Sequence, residues 1–308
     1  MSCAVRTAEH SFRSGGTRCA ATLVPASADA LRSSAGRPLV VMAHGFGCTR
    51  DSGLLPFAQR FAGAGLDVLT FDYRGFGTSA GSPRQAVSHR RQRADYHAAI
   101  AYARGLPGVD PARVAVWGTS YSGGHVIAVA ARDRRVAAVV SQGAAVDGLA
   151  ILRKPEKADP SALRFKGPRM IAAALTDVGR AMTGRPPRTL PAVGAPGDFA
   201  MLTDASSYAE YLAMMGPTWR NEVCARSLLT VPVNRPVTKA RSVRCPTLLI
   251  IAERDTIAPA SAVREVARRI GSRAEVLAFD CPHFDIYRGD VFERSVLAQL
   301  EFLTRVLA

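Results

Sequence analysis

The 308-residue chain predicts an α/β fold, a mostly parallel sheet with helices on both faces, an N-terminal antiparallel hairpin and an inserted helical cap. Three observations carry this. Runs such as PLVVMAHG, LDVLTFD, RVAVWG, VAAVVSQ and TLLIIA alternate with helical stretches, and strands written as continuous apolar runs belong to parallel sheets buried on both faces. A knot of small residues, GTSYSGG, interrupts two of the apolar runs. The alternation stops after Asp147 and resumes near residue 244.

Taken in order, VRTAEHSFRSGGTRCAATLVP alternates around Gly15-Gly16 and predicts a hairpin at the sheet edge. PLVVMAHG reads as a buried strand, LLPFAQRFAGAG as a helix and LDVLTFD as a strand. A long helix is expected from about Arg84 to Arg104, then the strand RVAVWG, a helix after Ser120 and the strand VAAVVSQ. CPTLLIIAERD, a helix near Ser261 to Ile270, the strand AEVLAF and a last helix from about Val291 complete a core of residues 1–147 and 244–308. The stretch 148–243 holds ten of the nineteen prolines and five of the seven methionines. A structureless loop of that length is implausible in a compact domain, so it reads as a mostly helical cap over the sheet. Its Met170, Met182, Met201, Met214, Met215, Tyr208, Tyr211 and Trp219 would either line an adaptable apolar pocket or hold the cap to the core.

Composition narrows the function. The net charge of +15 is almost all arginine, spread along the chain. Its small clusters, Arg90, Arg91, Arg93 and Arg132, Arg134, Arg135, have helical spacing and read as solvated faces, so nucleic acid is not an expected partner. The same charge suits the steering of anionic substrates, such as thioesters on coenzyme A or an acidic carrier. No run approaches the ~18 apolar residues of a membrane span, and the N-terminus lacks the apolar core of a signal peptide. The expectation is a cytoplasmic protein with no membrane partner, with a homodimer allowed. Cys3, Cys19, Cys48, Cys224, Cys245 and Cys281 are scattered with no CxxC pair and read as free thiols. Neither they nor the histidines have ligand spacing, so no metal and no cofactor is expected.

The GTSYSGG knot lies between a β-branched, aromatic strand, Val114 to Trp117, and an alanine-rich helix, His125 to Ala131. A serine at such a strand-to-helix turn has its hydroxyl aimed beyond the carboxyl end of the sheet, which makes Ser120 the candidate nucleophile. A serine hydroxyl needs a base within hydrogen-bond reach and a carboxylate to orient that base. His283, after the strand AEVLAF, and Asp255, after TLLIIA, both stand at strand ends. Asp147 and Glu253 are rival acids, and Asp255 is preferred because its loop is short and polar. His125 sits on the helix behind the nucleophile and suits packing; His89 and His97 read as surface residues of the arginine-rich helix; His10 lies in the hairpin. Stabilising an oxyanion calls for two backbone N–H groups. Tyr121, after the nucleophile, and Phe46, in the glycine-rich loop AHGFGCTRD after the first central strand, are the candidates.

HGFG, DYRGFGTS (Asp72 to Ser79), GTSYSGG, ERDTIAP and CPHFDIY together resemble the α/β-hydrolase superfamily across nearly the whole chain outside the cap. The order Ser, Asp, His is that of the α/β-hydrolase fold. The Ser-Tyr-x-Gly elbow is similar to those of the dienelactone-hydrolase and X-Pro-dipeptidyl-peptidase or cocaine-esterase-like branches. The longer pattern resembles bacterial hydrolases related to fungal polyketide transferases. The resemblance implies a serine hydrolase acting on a small-molecule carboxylic ester or thioester through an acyl-enzyme. Acyl transfer by the same residues is the alternative, peptide or amide cleavage a weaker one, and a non-catalytic receptor weaker still. One departure stands out: Ser122 occupies the place where the G-x-S-x-G elbow has glycine, with Gly123 one position later. The turn is expected to tolerate so small a residue, whose hydroxyl is placed to contact the site.

Overall fold

The computed structural model describes residues 7–153, 160–203 and 208–308. Cys3, the first residues of the alternating N-terminal stretch and parts of the expected cap lie outside the described residues. β1 (Ala8–Ser14) and β2 (Thr17–Val24) form the hairpin, turned by Gly15 and Gly16 at φ of +52° and +78°. β3 (Arg37–Ala43), α1 (Leu55–Gly63), β4 (Asp67–Phe71), α2 (His89–Arg104), β5 (Val109–Thr119), α3 (Tyr121–Arg132) and β6 (Val139–Gln142) then alternate. Residues 148–243 carry α4 (Gly148–Arg153), α5 (Pro160–Met182), β7 (Thr189–Leu190), α6 (Tyr208–Ala213), β8 (Val223–Cys224) and two 3₁₀ turns, Ala225–Thr230 and Pro236–Ser242. β9 (Thr247–Ala252), α7 (Ala260–Ile270), β10 (Ala274–Phe279) and α8 (Gly289–Leu307) close the chain.

The main sheet has the order β1-β2-β4-β3-β5-β6-β9-β10. The strands from β4 to β10 in that order run parallel, and the hairpin adds antiparallel to β4. The period-two alternation of β3 divides the core. Leu39, Val41 and Ala43 pack with α2, α3 and α7, whereas Val40 and Met42 pack with α1 and α8. The second 3₁₀ turn joins the first of these layers through Val237 and Ala240. α5 docks on the first 3₁₀ turn around the buried Asp177, whose carboxylate accepts from the Arg188 and Arg226 amides at 2.9 and 3.0 Å.

Two expectations on α2 need correction. The helix starts at His89, not near Arg84, because Gln85 adopts a φ of +60° and Ser88 caps the first turn. His89 is buried rather than on the surface, and Arg93 is partly buried with its guanidinium hydrogen-bonded to Asn234. Cys19, Cys48, Cys224, Cys245 and Cys281 are unpaired and buried. Among the described residues no helix is long and apolar enough to cross a membrane.

Glycines in two helices have opposite roles. A Cβ on Gly124 of α3 would lie 2.2 Å from the Ala145 carbonyl oxygen, whereas one on Gly179 of α5 would meet nothing within 4 Å. Gly124→Ala is therefore expected to cost about 3 kcal/mol by overpacking. Gly179→Ala should stabilise by about 0.5–1 kcal/mol through helix propensity. Urea unfolding of the two variants gives both signs.

Candidate active site

Because β5, β9 and β10 run parallel, the loops after them emerge on one rim of the sheet. β5 hands over to α3 at Ser120, whose φ of +55° and ψ of −118° lie outside the ordinary range of an L-residue. Such a conformation costs about 1–3 kcal/mol and persists only where its surroundings enforce it. Here the Ser120 amide donates to the Gln142 carbonyl at 2.8 Å, and the Ser120 carbonyl accepts from the Ala145 amide at 2.9 Å. Gly118 makes room for the turn, since a Cβ there would sit 2.3 Å from the Ser122 carbonyl oxygen.

The structure brings Ser120, His283 and Asp255 together. His283 Nε2 lies 3.2 Å from Ser120 Oγ, and Nδ1 lies 2.5 Å from Asp255 Oδ2. Asp255 Oδ1 accepts from the Ile257 and Ala258 amides at 2.7 Å each, which fixes the carboxylate. An ionised carboxylate only accepts, so Nδ1 carries the imidazole proton and Nε2 offers its lone pair to the Ser120 hydroxyl. Gly143, at φ of +50°, lets the chain pass close beneath the ring; a Cβ there would touch His283 Cε1 at 3.4 Å.

The rival residues are engaged elsewhere. Asp147 accepts from Arg235 Nε and Nη2 at 2.8 and 3.0 Å, and Glu253 pairs with Arg264. His125 is buried, 3.0 Å from Gln92 Oε1, and burial pushes its pKa far below the usual range, so it packs as a neutral ring. Burial also lowers the His89 pKa to about 4. His10, in the hairpin, bonds Tyr102 of α2, and His97 is half-buried on α2.

Tyr121 opens α3, so its N–H belongs to the first-turn amides that have no partner within the helix. The loop after β3 abuts the nucleophile: a Cβ on Gly45 would lie 3.0 Å from Ser120 Cβ. Phe46 and Tyr121 meet edge to face with ring centroids 5.6 Å apart. The segment after β6 holds this loop from above. Tyr211 Oη donates to the Phe46 carbonyl at 2.7 Å, and Trp219 Nε1 donates to the Gly47 carbonyl at 3.1 Å. From below, Asp72 accepts from the Arg50 amide and guanidinium at 2.7 and 2.5 Å, which ties the DYRGFGTS loop to the same turn.

A cavity of about 190 Å³ opens beside Ser120 and His283. Met201, Met214, Met215, Tyr211, Phe284 and Ile257 contribute to its wall, and no Asp, Glu, Lys or Arg is among its described lining residues. Of the other residues considered for a pocket, Met170 of α5 packs against the cluster of Ala173, Leu190 and Ala225, Tyr208 packs beside Tyr211, and Met182 is 84% exposed. Sequence reasoning missed a buried polar chain behind the site. Trp117 Nε1 donates to Gln299 Oε1, Gln299 Nε2 donates to Gln142 Oε1, and Gln142 Nε2 reaches Thr119, which bonds Tyr287. Its members are far apart in the chain, and no local pattern marks them. Among the described residues no group of three or more His, Cys, Asp or Glu could hold a metal ion.

The family described as serine aminopeptidase, S33, matches residues 34–280. The chain belongs to this family of α/β hydrolases. Quorum-quenching protein AidA of Acinetobacter baumannii is 38% identical over 272 residues, covering 88% of this chain and 87% of that protein. Thiohydrolase aneE of Aspergillus aculeatus is 27% identical, covering 88% of this chain and 86% of its own. The crystal structure of α/β hydrolase GrgF from Penicillium superposes with a TM-score of 0.80 at 23% identity, over 98% of this chain and 99% of that one. The fold expected from the sequence is thus the one observed, and the chain is an enzyme of the hydrolase class.

Two outcomes follow for this hydrolase. Burial raises the Cys48 thiol to a pKa of about 12, although Cys48 borders the cavity. At pH 8 only about one molecule in ten thousand carries the thiolate, so iodoacetamide should alkylate Cys48 at least about 100-fold more slowly in folded than in unfolded protein, read by peptide mapping. Asp147→Asn, which removes the charge from the Arg235 pair and keeps an amide oxygen to accept from the Leu149 N–H, should keep any esterase turnover within about twofold of wild type.

Proposed function

We propose that the protein hydrolyses carboxylic esters or thioesters of apolar acids through an acyl-enzyme on Ser120. The observation that carries this is the chain of contacts from Asp255 through His283 to Ser120 at the edge of an apolar cavity with no charged side chain among its described lining residues. His283 Nε2 takes the Ser120 proton as Oγ adds to the acyl carbon. The amides of Phe46 and Tyr121 receive the charge that develops on the acyl oxygen. The tetrahedral adduct collapses, the C–O or C–S bond breaks, and His283 returns the proton to the departing alcohol or thiol. Water, deprotonated by His283, then adds to the acyl-enzyme and releases the acid and Ser120. Asp255 holds the imidazole in the required tautomer throughout and stabilises the imidazolium.

The described cavity lining also weighs against cleavage at a peptide terminus, because recognition of a free amino group calls for a carboxylate at the wall and none is among the described lining residues. Its apolar lining favours one second reading, acyl transfer to an alcohol or amine in place of water, since exclusion of water extends the life of the acyl-enzyme. Product analysis in the presence of competing nucleophiles separates the two. The unpaired cysteines suit a reducing compartment, and we place the activity in the cytoplasm.

A fluorophosphonate probe tests the core of this reading. One adduct per chain should map to Ser120, and Ser120→Ala should abolish both labelling and turnover without changing the unfolding midpoint. Asp255→Asn should lower kcat roughly 10³- to 10⁴-fold by presenting the wrong tautomer. Turnover retained in Ser120→Ala overturns the mechanism.

A further inference from the structure

The elbow serine that departs from the family pattern is buried and fully bonded. Ser122 has no exposed surface, and its Oγ contacts both the His44 carbonyl and, at 2.5 Å, the Tyr73 hydroxyl. A carbonyl only accepts, so the Ser122 hydroxyl donates to His44 O and its oxygen accepts the Tyr73 proton. These directions follow from the partners alone. The bond joins the first turn of α3 to the last peptide before the Gly45-Phe46 loop.

The next peptide in that loop is also held. His44 Nδ1 lies 3.0 Å from the Gly45 carbonyl, and the Cys48 amide donates to the same oxygen at 3.4 Å. Nδ1 must then carry the proton, which leaves Nε2 as a buried lone pair with no partner among the described residues. Burial lowers the His44 pKa and keeps the ring in this neutral form. The ring is wedged edge to face against Tyr73, with centroids 4.9 Å apart. The Gly45 carbonyl and the Phe46 N–H belong to one rigid peptide plane, so whatever fixes the first aims the second. Ser122 bonds His44, His44 bonds Gly45, and the plane of Gly45-Phe46 carries the second donor proposed for the oxyanion.

We propose that Ser122 is a positioning residue, whose hydroxyl ties the nucleophile elbow to the β3 loop and thereby aims the Phe46 amide at the developing oxyanion. The proposal rests on the serine-hydrolase reading above. In a G-x-S-x-G elbow a glycine at this position has no hydroxyl to make the bond. In this chain the glycine requirement has passed to the next residue, where a Cβ on Gly123 would lie 2.8 Å from Ala144 Cβ.

The test is phosphonylation of the full chain by a fluorophosphonate, followed by intact mass and resolved into kinact and KI across pH. Ser122→Ala and Ser122→Gly both remove the hydroxyl, and Val296→Ala trims a buried side chain of α8 as a control for general loosening. Loss of an aimed donor predicts that kinact falls roughly 10- to 100-fold in both Ser122 variants. KI should stay within about twofold, and the acid limb of the pH profile, which reports His283, should not move. Val296→Ala should leave kinact unchanged. The proposal is overturned if kinact survives in Ser122→Gly, which would make the alanine effect steric. It is also overturned if Val296→Ala loses as much, or if the acid limb shifts, which would place the effect on the Ser120–His283 pair. Failure of the wild type to label at Ser120 would instead overturn the serine-hydrolase reading itself, before the variants are compared.

Discussion

The backbone of Ser120 is the constraint around which the rest of the molecule is organised. An L-residue held at a φ of +55° is a local loss of about 1–3 kcal/mol in a protein whose whole stability is of the order of 5–15 kcal/mol. The turn survives because the Ser120 amide and carbonyl are bonded to the last residue of β6 and to the segment after it, at Gln142 and Ala145, and because Gly118 leaves the space that a side chain would fill. Without those ties the residue would relax towards an ordinary strand-to-helix junction, and its hydroxyl would no longer stand clear of the backbone.

That dependence explains why the surrounding layers are polar where a core is usually apolar. Gln142, which receives the Ser120 amide through its backbone, is itself held through its side chain by Gln299 of α8. Gln299 in turn accepts from Trp117 of β5, the strand that delivers the nucleophile. A buried polar group left without a partner costs more than the bond returns, so such a network tolerates only one arrangement. Uniqueness of geometry, more than extra stability, is what it contributes at this end of the sheet.

Much of this was legible in the sequence. Continuous apolar runs mark the parallel strands, and the candidates Ser120, Asp255 and His283 at strand ends are residues that the fold brings within contact distance of one another. The parts that were not legible share one physical cause: they depend on partners distant in the chain. Helix periodicity continues through Arg84 and Gln85 and points to an earlier start of α2 than His89. What ends it is the left-handed Gln85, whose side chain bonds the Glu222 carbonyl. Charge and helical spacing point to solvated faces at His89 and Arg93, yet α2 packs against α3, His89 is buried, and the Arg93 guanidinium bonds Asn234. The hydroxyl of Ser122 could be foreseen as a departure, but not its target, since the His44 carbonyl lies 78 residues away.

The bonds from Tyr211 and Trp219 to the Phe46 and Gly47 carbonyls bear on how such a protein can be altered. The segment between β6 and β9 invites treatment as an interchangeable module that sets which molecules enter, while the sheet beneath is kept. Here the two are stitched at the loop that borders the nucleophile. A chimera that replaced the segment and lost these two donors would leave two loop carbonyls seeking other partners, and the loop would settle where those partners lie. Exchange of segments between relatives must therefore carry over an indole and a phenol at these places, or redesign the loop with them. Diversification of what the cavity admits is thus bound, residue by residue, to the geometry of the turn it covers.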